Sequence, residues 1–550
     1  MTSDIGAEAE PMRLPASAEV LIVGAGPTGL LAANLLALYG IDVVVVERNS
    51  GPVEEPRAII LDDEFSRVLA TLGIEQALRE HSFGPVGVHY LSPLGFAILK
   101  VAGFVTPNGF ANRTTIWQPK LEEVLAENLT GELGARLFFA HQLTGFSETQ
   151  SGVSAEIKDS TGTAQTIRVR FLLAADGARS LVREQLGVQF EGFSAEDQPH
   201  VVVDVADDPD GRLPYTRFYC DPRRPCTCVP LPYGMRRFEF FLFPDEDPQA
   251  MLEPENLARL FAPYRDFSAV KVVRKAVYVF HSRLVDRMQS GSVFLLGDAA
   301  HLMPPFGAQG MNSGARDANN LAWKVSTVLR GGAEPAMLQN YDRERRDHVG
   351  KIISYSVRMG RLSNITSRLL ALLRDGLFAL LNVLPPVRDY FRSMRHMPRP
   401  DVSAGLVAGP RGSAVDGLIG RPVPNLALIH EDGSHANLDD VMGAGFAVVG
   451  IDAHCGLEDT VRKIRMLDPH ANEVRIGIDS GTQYAPGGET GREWCRKYRG
   501  KILLVRPDRY IALAASVAEL EQAMDEFLAM AGCRSVAGFQ IGSAIGRAAS

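Results

Sequence analysis

Near the start of the chain, Val20-Leu21-Ile22-Val23 runs into Gly24-Ala25-Gly26-Pro27-Thr28-Gly29 and then into Leu30-Leu31-Ala32-Ala33-Asn34-Leu35-Leu36. An apolar run, a glycine turn and a helical pattern in that order can hold a phosphate-bearing ligand. Gly24 permits the tight turn, Gly26 lets the backbone approach a pyrophosphate, and Gly29 lets the helix close on the strand. Pro27 lies in the same turn, and the helix N-terminus supplies N–H groups and positive dipole to the anion. The next apolar run, Val43-Val44-Val45-Val46, delivers Glu47 and Arg48, with Glu47 18 residues beyond Gly29. That is close to the spacing of roughly 20 residues at which an acid meets a ribose hydroxyl, so a dinucleotide is the expected ligand.

Two further acids stand at the ends of apolar runs. One is Asp176 in Leu172-Leu173-Ala174-Ala175-Asp176-Gly177, and the other is Asp298 in Gly297-Asp298-Ala299-Ala300-His301-Leu302-Met303-Pro304-Pro305. Either alone would serve as readily as a turn or helix cap. As an ordered set with Gly24–Gly29, they resemble the three fingerprints of the group A FAD-dependent aromatic hydroxylases, single-component flavoprotein monooxygenases.

The resemblance continues through Pro56-Arg57-Ala58, Gln118-Pro119-Lys120-Leu121-Glu122, Arg237-Phe238-Glu239-Phe240 and Gln309-Gly310-Met311-Asn312-Ser313-Gly314. Within the family the chain is most similar to the subgroup acting on 3-(3-hydroxyphenyl)propionate and 3-hydroxycinnamate in aromatic-compound catabolism. The resemblance implies an enzyme that uses FAD, NADH or NADPH, and O2 to place a hydroxyl ortho to an existing phenol. It puts Glu47 at the FAD ribose, Arg48 among the cofactor-binding residues, Arg57 and Gln118 along the flavin and its phosphates, and Asp298 on the ribityl chain. Asp176 and Gly177 would serve FAD and the nicotinamide donor. Gly310, Met311 and Asn312 would offer N–H groups to the pyrimidine end of the flavin ring, where negative charge collects on reduction.

For catalysis the resemblance singles out three residues. Pro304 would be a stiff wall beside the flavin, Arg237 would link substrate occupancy to flavin position, and His301 follows the Gly-Asp motif, although a cap or backbone contact explains it as simply. Arg236 is a candidate for holding a substrate carboxylate. Two departures stand out: Ala308 occupies a position where the family often has glycine, and Ile59 stands where a phenol-oxidising subgroup carries an acid.

Bulk properties narrow the alternatives. With 57 basic against 65 acidic residues, the net charge of −8 lacks the basic footprint of a nucleic-acid binder. Six cysteines in 550 residues, with Cys226-Thr-Cys228 as their tightest spacing, offer neither a redox pair nor a metal knuckle. No secretory signal is evident, so a cytoplasmic protein is expected. The leucine-rich stretch from Leu369 to Leu381 is broken by Arg374 and Asp375, which argues for a core or interface helix over stable membrane insertion.

The elements predict an α/β protein: a Rossmann-like FAD-binding domain interleaved with a β-sheet substrate domain, and a C-terminal thioredoxin-like α/β domain. The expected boundaries are a disordered lead-in over 1–17, FAD-binding segments over 18–190 and 286–400, and a substrate sheet over 191–285. A linker over 401–417, the small domain over 418–535 and a tail over 536–550 complete the chain. A homodimer is admissible. The alternatives are a hydroxylase of polycyclic phenols, as in antibiotic-tailoring relatives, and a non-enzymatic carrier on the same fold.

Overall fold

The computed structural model describes residues 13–195, 198–409, 417–453, 455–478 and 482–533. A six-stranded sheet forms the floor of the first domain, in the order Gln289–Ser290, Val293–Leu295, Phe171–Ala174, Val20–Val23, Val43–Val46, Arg136–Phe138. The central strands are parallel and fully buried, which is why they read as unbroken Val/Leu runs instead of alternating. Helix Pro27–Leu38 packs against helix Gly310–Leu329, so the two motifs of the FAD-binding domain meet although they lie far apart in sequence.

The lead-in extends less far than expected. Leu14 is buried and Ser17 bridges Arg168, which ties residues 13–17 to the sheet edge; residues 1–12 and 534–550, including the expected tail, lie outside the described residues.

The second sheet has seven strands, ordered Lys271–Tyr278, His200–Ala206, Arg236–Phe241, Cys226–Pro230, Tyr215–Tyr219, Gly87–Leu91, Ala97–Val101. Its last two strands come from within the span expected to be purely FAD-binding. Gly87–Leu91 runs parallel to Tyr215–Tyr219, so the boundary at 191 does not separate the two units. Strand alternation divides the sheet's faces. Val201, Val203, Phe238 and Phe240 pack with Leu257, Leu260 and Phe261 of helix Pro254–Phe261. The opposite face carries His200, Asp204, Arg237 and Glu239 toward the first domain.

Helices Arg368–Asn382 and Pro385–Arg392 meet at 108° and lie against strand Ala97–Val101. Leu369, Leu372 and Leu380 are exposed, so of the expected core or interface helix only the core placement is corrected. Among the described residues no single helix is long and apolar enough to cross a membrane.

In the C-terminal domain, Ala447–Ile451, helix Leu457–Ile464 and parallel Asn472–Ile476 are followed by antiparallel Lys501–Val505 and Ile511–Ser516 and by helix Val517–Met530. This βαβ–ββα order is the thioredoxin-like arrangement. The start of the segment read as a linker is docked: Leu406 is buried, Val402 N–H donates to Gly420, and Ala408 N–H donates to Ala512.

Candidate active site

The glycine turn is built as its spacing implies. Gly24 has φ +103°, and a Cβ there would lie 2.3 Å from the Ala175 carbonyl oxygen; one on Gly29 would lie 2.0 Å from that of Gly24. A Cβ on Gly26 would meet no heavy atom within 4 Å, so that glycine leaves open space in front of the helix N-terminus. Around it lies a cleft of about 340 Å³ lined by Gly24, Gly26, Glu47, Arg48, Asp176 and Gly177, among others. Glu47 is fixed by two backbone donors, Ala25 N–H and Asn49 N–H, each at 2.9 Å. Asp176 accepts from Val182 N–H, while its Oδ1 is buried without a partner among the described residues, and burial raises its pKa.

The remaining predicted cofactor residues lie on three segments. The Gln118 side-chain carbonyl accepts from Arg57 N–H at 2.8 Å and Ala58 N–H at 2.7 Å, which orders the loop carrying the exposed Arg57 side chain. Asp298 is open to solvent yet surrounded by protein; this enclosure raises its pKa, opposed by the charges of His301 and Arg57. Gly310, Met311 and Asn312 form the first turn of helix Gly310–Leu329. Asn312 is buried and spends its side chain on scaffolding: Nδ2 donates to the Ile60 and Ala308 carbonyls and Oδ1 accepts from Asp62 N–H. Ala308 adopts φ +59°, a left-handed conformation costing an alanine about 1–2 kcal/mol, at the position where the family often has glycine.

Two predicted catalytic residues have different duties. His301 is 1% exposed, and its Nε2 meets Asp317 Oδ2 at 2.6 Å. Burial pushes Asp317 up, but His301 and Arg345 outweigh it and hold the carboxyl low. These bonds give His301 a place in a buried cluster with Asp317 and Arg345, and its Nδ1 has no partner among the described residues. Arg237 is buried, with Nε and Nη2 on Asp204 at 2.7 and 2.9 Å and further bonds to the Pro56 and Arg57 carbonyls at 2.7 and 2.9 Å. With four of its five N–H groups so used, it clamps the Arg57 loop to the sheet. Arg236 donates to the Asp210 and Tyr215 carbonyls and leaves Nε without a partner among the described residues, but strand alternation puts it on the Phe238 and Phe240 face, away from Arg237 and the first domain, so it does not take the substrate carboxylate. Pro304 is buried beside Phe306, at the entry to helix Gly310–Leu329.

The FAD binding domain family matches residues 17–356, and the HcaD C-terminal domain matches residues 420–530. The chain belongs to the FAD-dependent aromatic hydroxylases. A 3-(3-hydroxy-phenyl)propionate/3-hydroxycinnamic acid hydroxylase of Escherichia coli is 35% identical to this hydroxylase over 522 residues, covering 91% of this chain and 92% of that one. Among solved structures, the flavin-dependent monooxygenase PieE in complex with FAD and substrate aligns with TM-score 0.75 at 21% identity, covering 94% of this chain and 99% of that one. The anhydrotetracycline hydroxylase OxyS from Streptomyces rimosus aligns with TM-score 0.74 at 25% identity and the same coverage.

The hydroxylase fits FAD on its own geometry: an open cradle at Gly26 and an unpartnered Asp176 oxygen line one cleft. Bound there, FAD supplies the electron storage and oxygen activation that no side chain provides. The protein's share is to orient the ring, exclude water and manage protons.

Sequence reasoning missed the docking of the C-terminal domain. Arg506, at 0% exposure, pairs with Glu344 and Asp508, and Lys324 pairs with Glu344 at 2.7 Å. Tyr510 donates to Glu64, Glu64 and Asp62 both pair with Arg316, and Asp62 N–H donates to Asn312. A continuous polar chain thus joins that domain to the first turn of helix Gly310–Leu329. Arg113 was missed as well, since a lone Asn-Arg-Thr-Thr carries no motif.

Proposed function

We propose that this hydroxylase acts on a phenol bearing a carboxylate side chain, of the 3-(3-hydroxyphenyl)propionate or 3-hydroxycinnamate class. One oxygen atom of O2 enters ortho to the phenol, the other leaves as water, and NADH supplies the two electrons. In this reading Glu47 and Arg48 serve the FAD ribose, Asp298 the ribityl chain, Arg57 and Gln118 the flavin and its phosphates, and Gly310 and Met311 the reduced ring. Asp176 and Gly177 serve FAD and the nicotinamide donor, and Pro304 walls the ring. The enzyme works in the cytoplasm, where NADH is regenerated.

The observation that carries the substrate class is Arg113. The residue is 7% exposed, Nη1 donates to the Gly307 carbonyl at 3.2 Å, and Nε has no partner among the described residues. The carboxylate that acts on it, Asp62, is already paired with Arg316. A buried cation without its own acid is costly, and a substrate carboxylate would complete it. Aromatic side chains surround it: Tyr90 stacks on Phe218 at 4.6 Å, Phe218 faces Phe306, and Tyr355 abuts Gly307. The test is NADH oxidation, with product identification, across hydroxyphenylpropionates, hydroxycinnamates, their amides and polycyclic phenols. Stimulation by the acids above the amides is expected; preference for a polycyclic phenol would refute the reading.

A further inference from the structure

Ortho hydroxylation of a phenol needs the ring electron-rich, and the phenolate is far richer than the phenol. The proton therefore has to go somewhere in a water-poor site. Arg237 is already a cation paired with Asp204, and His301 is buried with its Nε2 on Asp317.

Strand register singles out another group. Arg236–Phe241 is central in the second sheet, and Glu239 lies directly across from Thr227 on one side and Val202 on the other. The same cross-sheet row continues through Phe218, opposite Thr227, to Tyr90, opposite Phe218. This row shares the face whose Phe218 meets Phe306 and whose Val229 packs with Ile59 and Ala308. Glu239 is thus a carboxylate in the middle of the sheet face turned to the flavin-side loop, in line with the aromatic wall. It is half-buried, keeping access to open space, and protein surrounds it closely enough to perturb it. Among the described residues its carboxylate has no hydrogen-bond partner.

We propose that Glu239 is the base that takes the proton from the substrate phenol, a step that rests on the phenolic substrate proposed above. The phenol O–H breaks, its proton goes to a Glu239 carboxylate oxygen, and the electron pair stays on the phenol oxygen. After the oxygen atom has been added at the ortho carbon, the neutral Glu239 returns its proton to the same phenol oxygen. The hydrogen of the ortho carbon leaves to solvent and the aromatic ring re-forms.

The surroundings suit this work. Burial raises the Glu239 carboxyl to about 7, opposed by Arg237 on its own strand and reinforced by Asp204 on the next. Cys226 on the other neighbouring strand also lies within reach, Arg274 on the outer strand stands behind Asp204, and the loop Pro304–Ala308 contributes no titratable side chain. A base at about 7 lies roughly three units below a phenol at about 10, whereas an ordinary glutamate lies more than five below.

The test is the pH dependence of hydroxylation of 3-(3-hydroxyphenyl)propionate by FAD-loaded enzyme. kcat/KM of the wild type is expected to rise with pH through about 7, with Glu239→Asp keeping that limb and Glu239→Gln losing it at unchanged FAD content. An unchanged limb in Glu239→Gln overturns this inference alone. If the variant does not hold FAD, the wild-type profile decides, because a kcat/KM with no limb near 7 also overturns it. A wild type that neither binds nor hydroxylates any phenol overturns the substrate reading, and this inference with it.

Discussion

Replacing Gly26 with alanine should separate folding from cofactor binding. Gly26 has φ −75° and ψ −179°, which alanine adopts without strain, and a Cβ there meets nothing within 4 Å. In the apoprotein two small effects oppose each other. Restricting the unfolded chain contributes about 0.4–1 kcal/mol, and losing glycine at the N-cap costs a similar amount. The melting temperature should therefore barely move. With FAD present the methyl group occupies space that the pyrophosphate needs, and overpacking costs roughly 1–3 kcal/mol, about a 5- to 150-fold loss of affinity. Gly29→Ala is the contrast, since its Cβ would lie 2.0 Å from the Gly24 carbonyl oxygen and should destabilise the protein with or without ligand. Apoprotein melting and FAD titration by flavin fluorescence read both effects. Unchanged FAD affinity in Gly26→Ala, or an apoprotein as unstable as Gly29→Ala, would refute the placement of the phosphates.

Because enclosure raises the Asp298 pKa, the folded apoprotein binds that proton more tightly than the unfolded chain, and its stability falls as pH rises. Asp298→Asn should thus make the apoprotein more heat-stable than wild type at pH 7, with the gap closing toward pH 3.8, while weakening FAD binding. Glu344 is resisted by burial, yet Arg506 and Lys324 hold its carboxyl at about 2; its stabilisation is complete above 4.5 and lost as pH falls toward 2. Glu344→Gln should cost about 3–5 kcal/mol at neutral pH, read as earlier urea unfolding and faster proteolysis between the domains, whereas an unchanged transition would remove the ion cluster from the docking account. Arg237→Lys keeps the charge and loses the fork that spans Asp204 and the Pro56 and Arg57 carbonyls. FAD content should hold while product formed per NADH consumed falls and peroxide rises; an unchanged ratio would take the clamp out of the catalytic cycle.

The nucleotide half of the site was legible because its chemistry is backbone chemistry. A turn that needs positive φ at Gly24, a contact that forbids a side chain at Gly29 and a strand that ends in Glu47 all leave marks at fixed spacing. The substrate half was not, because it depends on register and on pairings between distant segments. Arg236 and Arg237 are adjacent, and only the sheet shows that Arg236 faces the core helix and Arg237 is tied to Asp204 and the Arg57 loop while Glu239, two residues on, is left open. His301 sits in a motif, but its partner Asp317 is 16 residues away and its environment is closed by Arg345. The small domain's fold could be read from its strand and helix alternation; the ion cluster that docks it could not, since its members look like ordinary surface charges.

The interleaving of the two sheets also sets a timetable for synthesis. Strand Phe171–Ala174 needs Val293–Leu295, and Gly87–Leu91 needs Tyr215–Tyr219, so each sheet waits on chain not yet made. At ~5–20 residues per second, the roughly 120 residues after Ala174 take about 6–25 s to emerge. During that interval Phe171–Ala174 is an unpaired edge in addition to the permanent edge at Arg136–Phe138. Slower growth temperature or a chaperone that covers that edge should therefore raise the soluble yield more than any change at the active site, because the hazard lies in the order of arrival of the strands.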